Sequence, residues 1–451
     1  MLFRSLLSYF TEKLREKLKD PAFRQIEGFP IGEDEDILAL SDPPYYTACP
    51  NPWIADFIAE WEAQKPQKPA GYHYHREPFA TDVSEGKTDQ FYRAHTYHTK
   101  VPHKAIMRYI LHYTEPGDII FDGFCGSGMT GVAAQMCGDR NVVISLGYQV
   151  HSNGDILHEE TDEHGKKTWK AFSKLGVRHV ALNDLAPAAT FITAKYNLPF
   201  NTNAYKKNIG AVLEDLRKEI GWMYETLHTD GKTKGYINYT VWSEVFVCPE
   251  CSGEIIFLEE AFDKDNEKVL DEFFCPHCST ICTKSNLELL FHSKYDQSAG
   301  TVLQIPKRLP VLINYLIGNS VCEKKPDSAD LAILQQVDNL PTPKTLPTEM
   351  LPPMQMANVG RMKTTKTSYL HNFFLPRQAH AMGSLWAKVL EIPDKPTRQA
   401  LLWTIDQSIP GMSILNRYQP SHFSQVNRQM AGVFYVPSQI SECSPWFNLE
   451  G

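Results

Sequence analysis

The sequence has few cysteines, no long apolar run and no excess of positive charge. Ten cysteines in 451 residues are too few for a disulfide framework, and four of them form two C-x-x-C pairs. This usage favours metal ligation in a reducing cytoplasm. The longest apolar stretch, from Leu309 to Gly318, is too short to span a bilayer. A net charge of -8 does not by itself indicate a nucleic-acid partner. The short apolar runs exclude a transmembrane protein, and the overall composition excludes a fibrous one.

The rest of the composition predicts a globular chain with several domains. Hydrophobic residues make up 42% of the chain and charged residues 22%, which is ordinary for folded proteins. At about 100–200 residues per domain, this length corresponds to roughly two to four domains.

The first 36 residues are interpreted as an N-terminal amphipathic helix region. A helix places six apolar side chains on one face: Leu2, Leu6, Leu7, Phe10, Leu14 and Leu18. No cleavage site follows, so this segment is not a signal peptide. We expect it to dock on the protein's own core, with binding to a membrane surface as the alternative.

Charge is unevenly distributed along the chain. Between Met354 and Met430 there are nine Lys or Arg against three Asp or Glu, so this segment carries +6 and the remainder -14. The basic residues are Arg361, Lys363, Lys366, Arg377, Lys388, Lys395, Arg398, Arg417 and Arg428. Aromatic residues are interleaved with them. Residues 354–451 are thus a candidate DNA-binding region, and an ordinary domain with a solvated basic face is an equal alternative. A Pro-rich linker is predicted before it, over residues 322–353.

The pattern of apolar runs between residues 37 and 200 predicts an α/β fold. Strands are predicted at 37–40, 118–122 and 177–182, and helices at about 103–113, 129–137 and from 187 onward. A polar, hairpin-like stretch interrupts this order between 147 and 170. Strands alternating with helices are typical of a doubly wound parallel sheet.

A glycine-rich turn links the strand at 118–122 to the next helix. In Phe124-x-Gly126-x-Gly128 the glycines let backbone N–H groups approach a ligand closely, although dense glycines also serve ordinary turns. Asp184, at the end of the following strand, is placed to accept hydrogen bonds from ribose hydroxyls. It lies 56 residues after Gly128, against about 20 in a simple dinucleotide fold. The polar stretch at 139–174 is therefore read as an insertion.

A second turn, Asp42-Pro43-Pro44-Tyr45, follows the predicted strand at 37–40. Two prolines make this turn rigid and hold its flanking side chains at the carboxyl edge of a sheet, where α/β folds bind ligands. An acceptor there could bind an exocyclic amine, and an aromatic ring could stack on its base. Alone, the prolines would indicate only the end of a strand.

Together, the tetrapeptide at 42–45 and the segment Asp122-Gly123-Phe124-Cys125-Gly126-Ser127-Gly128 resemble the motif pair of S-adenosylmethionine-dependent DNA amino-methyltransferases, in the permuted order known in that family. The resemblance covers about residues 37–200. It implies a Rossmann-like methyltransferase domain over residues 37–241, S-adenosylmethionine as cofactor and DNA as substrate. The Asp form of the tetrapeptide resembles the type that methylates adenine at N6.

The resemblance also implies roles for individual residues. Asp42 and the following Pro43-Pro44 would hold the amine, and Tyr45 would stack on the extruded base. Residues 99–102 resemble the family's cofactor-side motif. The implied cofactor residues are Lys100, Pro102, Asp122, Phe124, Gly126, Gly128 and Asp184.

Several alternatives stay open at this point. Large bacterial methylases that resemble this region often continue further and carry a second Asp-Pro-Pro motif, which is absent from this sequence. Either Asp42 is catalytic, or the chain is a piece of a longer protein with its catalytic tetrapeptide elsewhere. N4-cytosine, RNA or a protein amide are alternative targets, and a non-catalytic DNA-binding protein is the rival class. A nuclease or defence-system partner, as in restriction–modification, is a further expectation.

The two C-x-x-C pairs predict a zinc ribbon over residues 242–285. The thiols of Cys248, Cys251, Cys275 and Cys278 form two knuckles flanked by strand-like segments. Four thiolates satisfy tetrahedral Zn²⁺ and leave no position for water, so the predicted role is structural. His277 and Cys282 lie nearby and are read as bystanders.

Overall fold

The computed structural model describes residues 2–84, 88–97, 99–161, 164–263, 266, 268–419 and 435–449, and side chains from residue 9 onward, Met356 excepted. The chain divides into two compact units, Met1–Phe200 and Asn201–Gly451. The boundary falls inside the predicted methyltransferase domain of residues 37–241.

The first unit begins with helices. They are α1 (Leu2–Leu18), α2 (Pro21–Arg24), α3 (Asp34–Leu40), α4 (Ile54–Gln64), α5 (Gln90–Arg93) and α6 (His103–Tyr113). In α1, Leu14 and Leu18 are fully buried and Phe10 packs edge-on against Trp53, with ring centroids 5.4 Å apart. These described side chains of α1 therefore pack on the protein itself, as predicted. The side chains of Leu2, Leu6 and Leu7 lie outside the described residues.

The strand predicted at 37–40 is wrong, because this segment forms the last part of α3. Asp34, Glu35 and Asp36 occupy the first turn of that helix, where negative charge is favourable. Ile37 and Leu38 are both buried on it. A run of four apolar residues does not by itself distinguish a strand from a buried helical turn.

The predicted order from residue 103 to residue 200 is confirmed. The remaining elements of this unit are β1 (Ile119–Asp122), α7 (Met129–Met136), α8 (Arg140–Ser145), β2 (Gln149–Val150), β3 (Asp155–Thr161), β4 (Lys167–Lys174), β5 (His179–Leu182) and α9 (Pro187–Asn197). Strands β1 and β5 pair in parallel, from Ile119 opposite His179 to Asp122 opposite Leu182. Strands β2 to β4 form a separate antiparallel sheet, which is the predicted insertion.

Unit 1 is thus mixed α/β, but the large doubly wound sheet is not seen. Among the described residues, β1 and β5 are the only parallel pair. One hydrophobic core lies between α6, α7 and the antiparallel sheet, and it includes Met107, Leu111, Ala133 and Ile156.

Helices α7 and α9 pack closely because glycines stand just before α7, at 128, and in its first turn, at 131. A Cβ atom at Gly128 would lie 2.7 Å from Thr193 Cγ2. One at Gly131 would collide with the side chain of Asn197 and lie 2.9 Å from Leu182 Cδ1. These glycines therefore serve the packing between helices as well as the turn.

The second unit is built on a long strand. Its strands are β6 (Glu225–Leu227), β7 (Lys234–Val247), β8 (Glu254–Ile256), β9 (Phe262–Asp263), β10 (Lys268–Val269), β11 (Glu272–Phe274), β12 (Ile281–Thr283), β13 (Glu288–Leu289), β14 (Phe291–Asp296), β15 (Thr301–Pro306), β16 (Arg308–Ile317), β17 (Ser320–Lys324) and β18 (Gln439–Cys443). Its helices are α10 (Thr202–Ile220), α11 (Phe257–Ala261), α12 (Ser328–Asp338), α13 (Gly360–Thr365), α14 (Pro376–Leu390), α15 (Lys395–Ser408) and α16 (Pro445–Leu449). Short 3-10 turns occupy Gly221–Tyr224, Gln355–Asn358 and Leu370–Phe373. Strand β7 pairs with β6, β8, β13, β16 and β18.

The predicted Pro-rich linker contains structure that the proline count did not indicate. Helix α12 starts at a capping box formed by Asp327 and Asp330. The buried Asp330 carboxylate accepts a hydrogen bond from Thr226 Oγ1 at 2.6 Å and pairs with Lys324 at 2.8 Å. The prolines of this stretch flank the helix without entering it, so residues 328–338 are a packed element rather than a linker.

We predict that Gly131→Ala destabilises the protein by about 1–3 kcal/mol, because the added methyl group overpacks the contact between α7 and α9. The matched control is Gly210→Ala, in the middle of α10, where a Cβ meets nothing within 4 Å. That variant should be neutral or up to about 1 kcal/mol more stable, since alanine favours helix. Urea unfolding followed by circular dichroism measures both. A Gly131→Ala protein as stable as the wild type would contradict the packing argument.

Candidate active site and metal centre

The Asp-Pro-Pro-Tyr segment forms a closed turn after α3. The Asp42 N–H donates to the Tyr46 carbonyl at 2.7 Å, and the Tyr46 N–H donates back to the Asp42 carbonyl at 3.1 Å. The peptide bond between Pro43 and Pro44 is cis. The Pro44 carbonyl accepts a hydrogen bond from Asn51 Nδ2 at 2.9 Å. The Asp42 carboxylate has no hydrogen-bond partner among the described residues, so it is available to a ligand.

Tyr45 is the outer ring of an aromatic stack. Its side chain is 68% exposed and stacks on Phe57 with ring centroids 5.6 Å apart. Phe57 stacks on Trp61 at 5.9 Å, and Trp61 stacks on His179 of β5 at 4.7 Å. Phe57 and Trp61 lie one turn apart on α4 and were not identified from the sequence. The stack fixes the Tyr45 ring and leaves it open to a further flat group.

The turn is anchored on α9 by the second tyrosine. Tyr46 is buried, and burial raises its pKa to about 12. Its hydroxyl lies 3.5 Å from Thr190 Oγ1. The preceding residue, Ser41, donates to the Ile37 carbonyl at 2.6 Å and accepts from the Ala48 N–H at 2.9 Å. The hydroxyl of Ser41 thus joins the end of α3 to the chain beyond the turn.

The glycine turn is closed by Asp184. Gly126 and Gly128 have left-handed φ values of +55° and +76°, as a turn between strand and helix requires. One Asp184 carboxylate oxygen accepts from the Gly126 N–H at 2.9 Å, and the other accepts from the Ala186 N–H at 3.0 Å. Asp184 therefore lies at the glycine turn, and its predicted role toward a ribose stays a prediction. Each oxygen already holds one backbone hydrogen bond and has a second lone pair for a ligand.

Other polar groups of the glycine turn are also engaged. The Asp122 carboxylate accepts from Thr130 Oγ1 at 2.6 Å and from the Phe124 N–H at 3.2 Å. Thr193 Oγ1 donates to the Gly126 carbonyl at 2.9 Å. Asn197 Nδ2 donates to the Gly128 carbonyl at 3.2 Å. Thr130, Thr193 and Asn197 were not identified from the sequence. For Thr193 and Asn197, which lie on α9, no local pattern indicates a contact with this turn.

Tyr97 covers the glycine turn and was also not identified from the sequence. A Cβ at Gly126 would lie 2.9 Å from Tyr97 Cε1, so only glycine allows this approach. Burial, and next the Asp184 carboxylate, raise the pKa of Tyr97. By contrast Phe124 is 79% exposed beside the turn. A half-buried ring on one side and an exposed ring on the other leave room for a ligand with a flat apolar part.

Lys100 is held by oxygen atoms of its own unit. Its Nζ donates to the carbonyls of Tyr92 at 2.8 Å and His95 at 3.0 Å, and to Tyr196 Oη at 2.8 Å. Burial lowers the pKa of Lys100 to about 8. Pro102 is buried at the start of α6. These contacts fix the loop before α6 against α9, which carries Tyr196.

In the second unit, the four cysteines of the two C-x-x-C pairs converge. The sulfur atoms of Cys248, Cys251, Cys275 and Cys278 all lie within 4.8 Å of one another. Cys248 Sγ is 3.7 Å from Cys278 Sγ, and Cys251 Sγ is 3.8 Å from Cys275 Sγ. This spacing matches the edges of a tetrahedron of sulfur atoms around an ion at about 2.3 Å. The cluster could hold zinc.

Each pair closes a tight loop of the same shape. The Ser252 N–H donates to the Cys248 carbonyl at 3.0 Å, and the Ser279 N–H donates to the Cys275 carbonyl at 3.0 Å. Both serines adopt a left-handed φ, +58° and +62°. This conformation is uncommon outside glycine. The two loops therefore hold their thiols in place, and Cys248 and Cys275 are also buried in the hydrophobic core of this region.

His277 and Cys282, which lie near the four cysteines, have other partners. His277 Nε2 lies 2.9 Å from the Glu254 carbonyl oxygen. Cys282 is fully buried in the small core of this region, and its sulfur lies 3.7 Å from the Thr280 carbonyl oxygen. Neither belongs to the cluster of four.

The thiols do not all favour ionisation without a cation. Hydrogen bonding by Thr280 lowers the pKa of Cys278 to about 6. The hydrogen bond from the Gly253 amide lowers the pKa of Cys251. Burial and the neighbouring thiols outweigh it and raise this pKa to about 12. A divalent cation would stabilise all four thiolates together. The donor set and its electrostatics thus fit a closed tetrathiolate site.

Several basic residues of the 354–451 region serve internal ion pairs. Arg361 binds the fully buried Glu244 through both carboxylate oxygens, at 2.6 and 2.5 Å. Arg377 is buried against Glu442, and Lys388 pairs with Glu219 at 2.8 Å. Arg428 lies outside the described residues. The interpretation as an ordinary domain gains support from these pairs, since such cations are not free for phosphate.

The Asp-Pro-Pro-Tyr turn and the strand–glycine turn–helix segment both lie in the first, mixed α/β unit. Residues 15–153 match the model of a family described as DNA methylase. This match confirms the predicted resemblance to the N6-adenine and N4-cytosine DNA methylase family over these residues. No curated protein and no solved structure matches the chain. Within the described residues, no helix has the length and apolarity needed to cross a bilayer.

We predict that the purified protein contains about one equivalent of zinc, bound by the four clustered thiols. Cys275→Ser should lose the ion, while Cys322→Ser, which changes a half-buried cysteine outside the cluster, should keep it. Elemental analysis after gel filtration measures both variants. A full complement of zinc in Cys275→Ser would reject the assignment.

Proposed function

We propose that this protein transfers a methyl group from S-adenosylmethionine to the exocyclic N6 amine of adenine in DNA. The observation that carries the proposal is the turn at Asp42, whose carboxylate is unpartnered next to an exposed, stacked Tyr45. The family match of residues 15–153 supports the DNA methyltransferase class. The choice of adenine rests on the Asp form of the tetrapeptide.

In this proposal the target base leaves the DNA helix and stacks on Tyr45. Flipping costs a few kcal/mol, which stacking on the outer ring of the Tyr45–Phe57–Trp61 ladder offsets in part. Asp42 accepts a hydrogen bond from the amine and so orients it. Holding the nitrogen in line reduces the entropic cost of the reaction.

The cofactor would bind at the glycine turn. Asp184 offers the remaining lone pairs of its carboxylate to ribose hydroxyls, and Phe124 offers an exposed ring. Tyr97 closes the opposite side. When bound, S-adenosylmethionine supplies the methyl group. Lys100 and Asp122, whose polar groups are taken up by the protein, act in this proposal by shaping the pocket.

We also propose that the cysteine cluster holds a structural Zn²⁺ ion. The closed donor set leaves no position for a reacting group. The ion would link the two cysteine loops and so stabilise this region. A nuclease or defence-system partner stays a prediction.

A non-catalytic DNA-binding protein is the second candidate. It is favoured by the engagement of both Asp184 oxygens and of the Lys100 ammonium in contacts with the protein itself. Cofactor binding without methyl transfer would support this second function.

We predict that Asp184→Ala weakens S-adenosylmethionine binding by about tenfold or more, the usual effect of losing hydrogen bonds to a charged group. Asp139→Ala is the matched control. Asp139 also accepts two backbone N–H bonds in the same unit, at the start of α8, so its loss reports the structural effect alone. Calorimetry should show this variant within about threefold of the wild type. Equal affinity in Asp184→Ala and wild type would contradict the proposed pocket.

We predict that Asp42→Ala lowers the rate of methyl transfer to DNA by about 100-fold or more, because the amine loses its positioned acceptor. Cofactor affinity should stay within a few fold. Tyr45→Phe should be mild and Tyr45→Ala severe, since the stacking ring is kept only in the first. Tyr72→Ala changes another exposed tyrosine and serves as control.

Tritiated methyl incorporation followed by nucleoside analysis gives the result. Undiminished N6-methyladenine from Asp42→Ala would show that this turn is not catalytic. A product of N4-methylcytosine would overturn the choice of adenine and leave amine transfer standing.

A further inference from the structure

The second unit contains a cavity of about 760 Å³ that has no role in the proposed reaction. Strands β14 and β15, the beginning of β16, and helices α12 and α14 supply most of its wall. Trp242, Leu334 and Phe374 contribute apolar surface. This volume lies within the range of about 300–1,000 Å³ that is typical of small-molecule sites.

Arg308 in the cavity wall lacks the partners that a buried guanidinium needs. Its side chain is only 8% exposed. Nε and Nη2 are fully buried and have no hydrogen-bond partner among the described residues. The nearest carboxylate oxygen, on Glu244, is 3.7 Å from Nη2. Leaving such donors unpaired is costly, so an acceptor from outside the chain would stabilise them.

Glu244 does not neutralise Arg308 on its own. Arg361 already binds both oxygens of that carboxylate, at 2.6 and 2.5 Å. Two guanidinium groups therefore share one buried negative charge. One positive charge is left over, and Arg308 lies in the cavity wall.

Acidic groups elsewhere in the wall have their own partners. Asp296 lies 2.9 Å from His371 Nε2, and Asp338 accepts from Lys294 Nζ at 2.7 Å. The buried Nδ1 of His371 has no partner within the described part of the chain. Glu442 is paired with Arg377. The unmatched polar groups of the wall thus include the Arg308 cation, which suits an anion.

We propose that this cavity binds a small organic anion, whose phosphate or carboxylate pairs with Arg308 and whose apolar body lies against Trp242 and Phe374. An inorganic ion would fill only a small part of the volume. The remaining volume is lined by apolar side chains, which favour a ligand with a hydrophobic part.

The test uses two aromatic dyes of similar shape on the intact chain. Anilinonaphthalene sulfonate carries an anionic group, and N-phenyl-naphthylamine has the same rings without it. The wild type should bind about one sulfonate dye with saturable fluorescence. Arg308→Met should bind it about 10- to 100-fold more weakly, the usual effect of losing hydrogen bonds to a charged group. The neutral dye should bind both proteins about equally.

Arg308→Met is expected to fold, because Arg361 keeps Glu244 paired. Should it fail, Leu334→Trp tests the same proposal by filling the cavity, and it should abolish binding of both dyes. Lys218→Met removes a positive charge from the exposed surface of α10 and should change neither. Equal sulfonate affinity in Arg308→Met and wild type, or undiminished binding in Leu334→Trp, would overturn the proposal.

Competition then separates the two sources of the anion. Displacement by adenosine monophosphate but not by adenosine indicates a phosphate ligand. Displacement by octanoate indicates a carboxylate ligand. If none of these displaces the dye, the cavity does not select organic anions and the proposal fails.

Discussion

Helix α9 holds the motif segments of the first unit together. Thr190 lies next to the Asp-Pro-Pro-Tyr turn, Thr193 and Asn197 donate to carbonyls of the glycine turn, and Tyr196 accepts from Lys100. These residues are three, six and seven positions beyond Thr190, so they share one side of the helix. The close approach that these contacts need is allowed by the glycines of α7. A change in this packing would move every predicted site residue of the unit that touches α9.

The carboxylates of this unit show how one arrangement supports both structure and chemistry. Asp184 and Asp122 hold backbone and hydroxyl donors, and that fixes the shape of the glycine turn. Asp42 is different, because its backbone is tied by hydrogen bonds while its carboxylate has no partner among the described residues. A group that is fixed in position and still available is what an acceptor for a substrate amine requires. The aromatic stack behind Tyr45 provides the same combination for a base.

In the second unit, the cysteine region grows out of the central sheet. Strand β7 continues through Val247 to the first cysteine, and β8 and β13 pair with its last residues. The basic side chains that suggested DNA binding are in part the partners of Glu244, Glu442 and Glu219. Glu244 and Glu442 are buried, so two of these cations neutralise carboxylates that would be costly to leave unpaired. The net charge of a segment thus does not show how many of its charged side chains face solvent.

The sequence by itself determined the features that depend on neighbouring residues. The order of elements from 103 to 200, the glycine turn and the two cysteine knuckles all follow from local spacing, and the family resemblance was confirmed over residues 15–153. Local spacing failed at 37–40, where a short apolar run fits a strand and a helix equally. Only the tertiary structure decided which polar groups have partners among the described residues and which do not. Tyr97, Thr193 and Phe57 reach the site through contacts between distant segments. Two nitrogens of Arg308 lack hydrogen-bond partners among the described residues while Arg361 binds both oxygens of Glu244. Such facts depend on the packing of residues that are far apart in the chain.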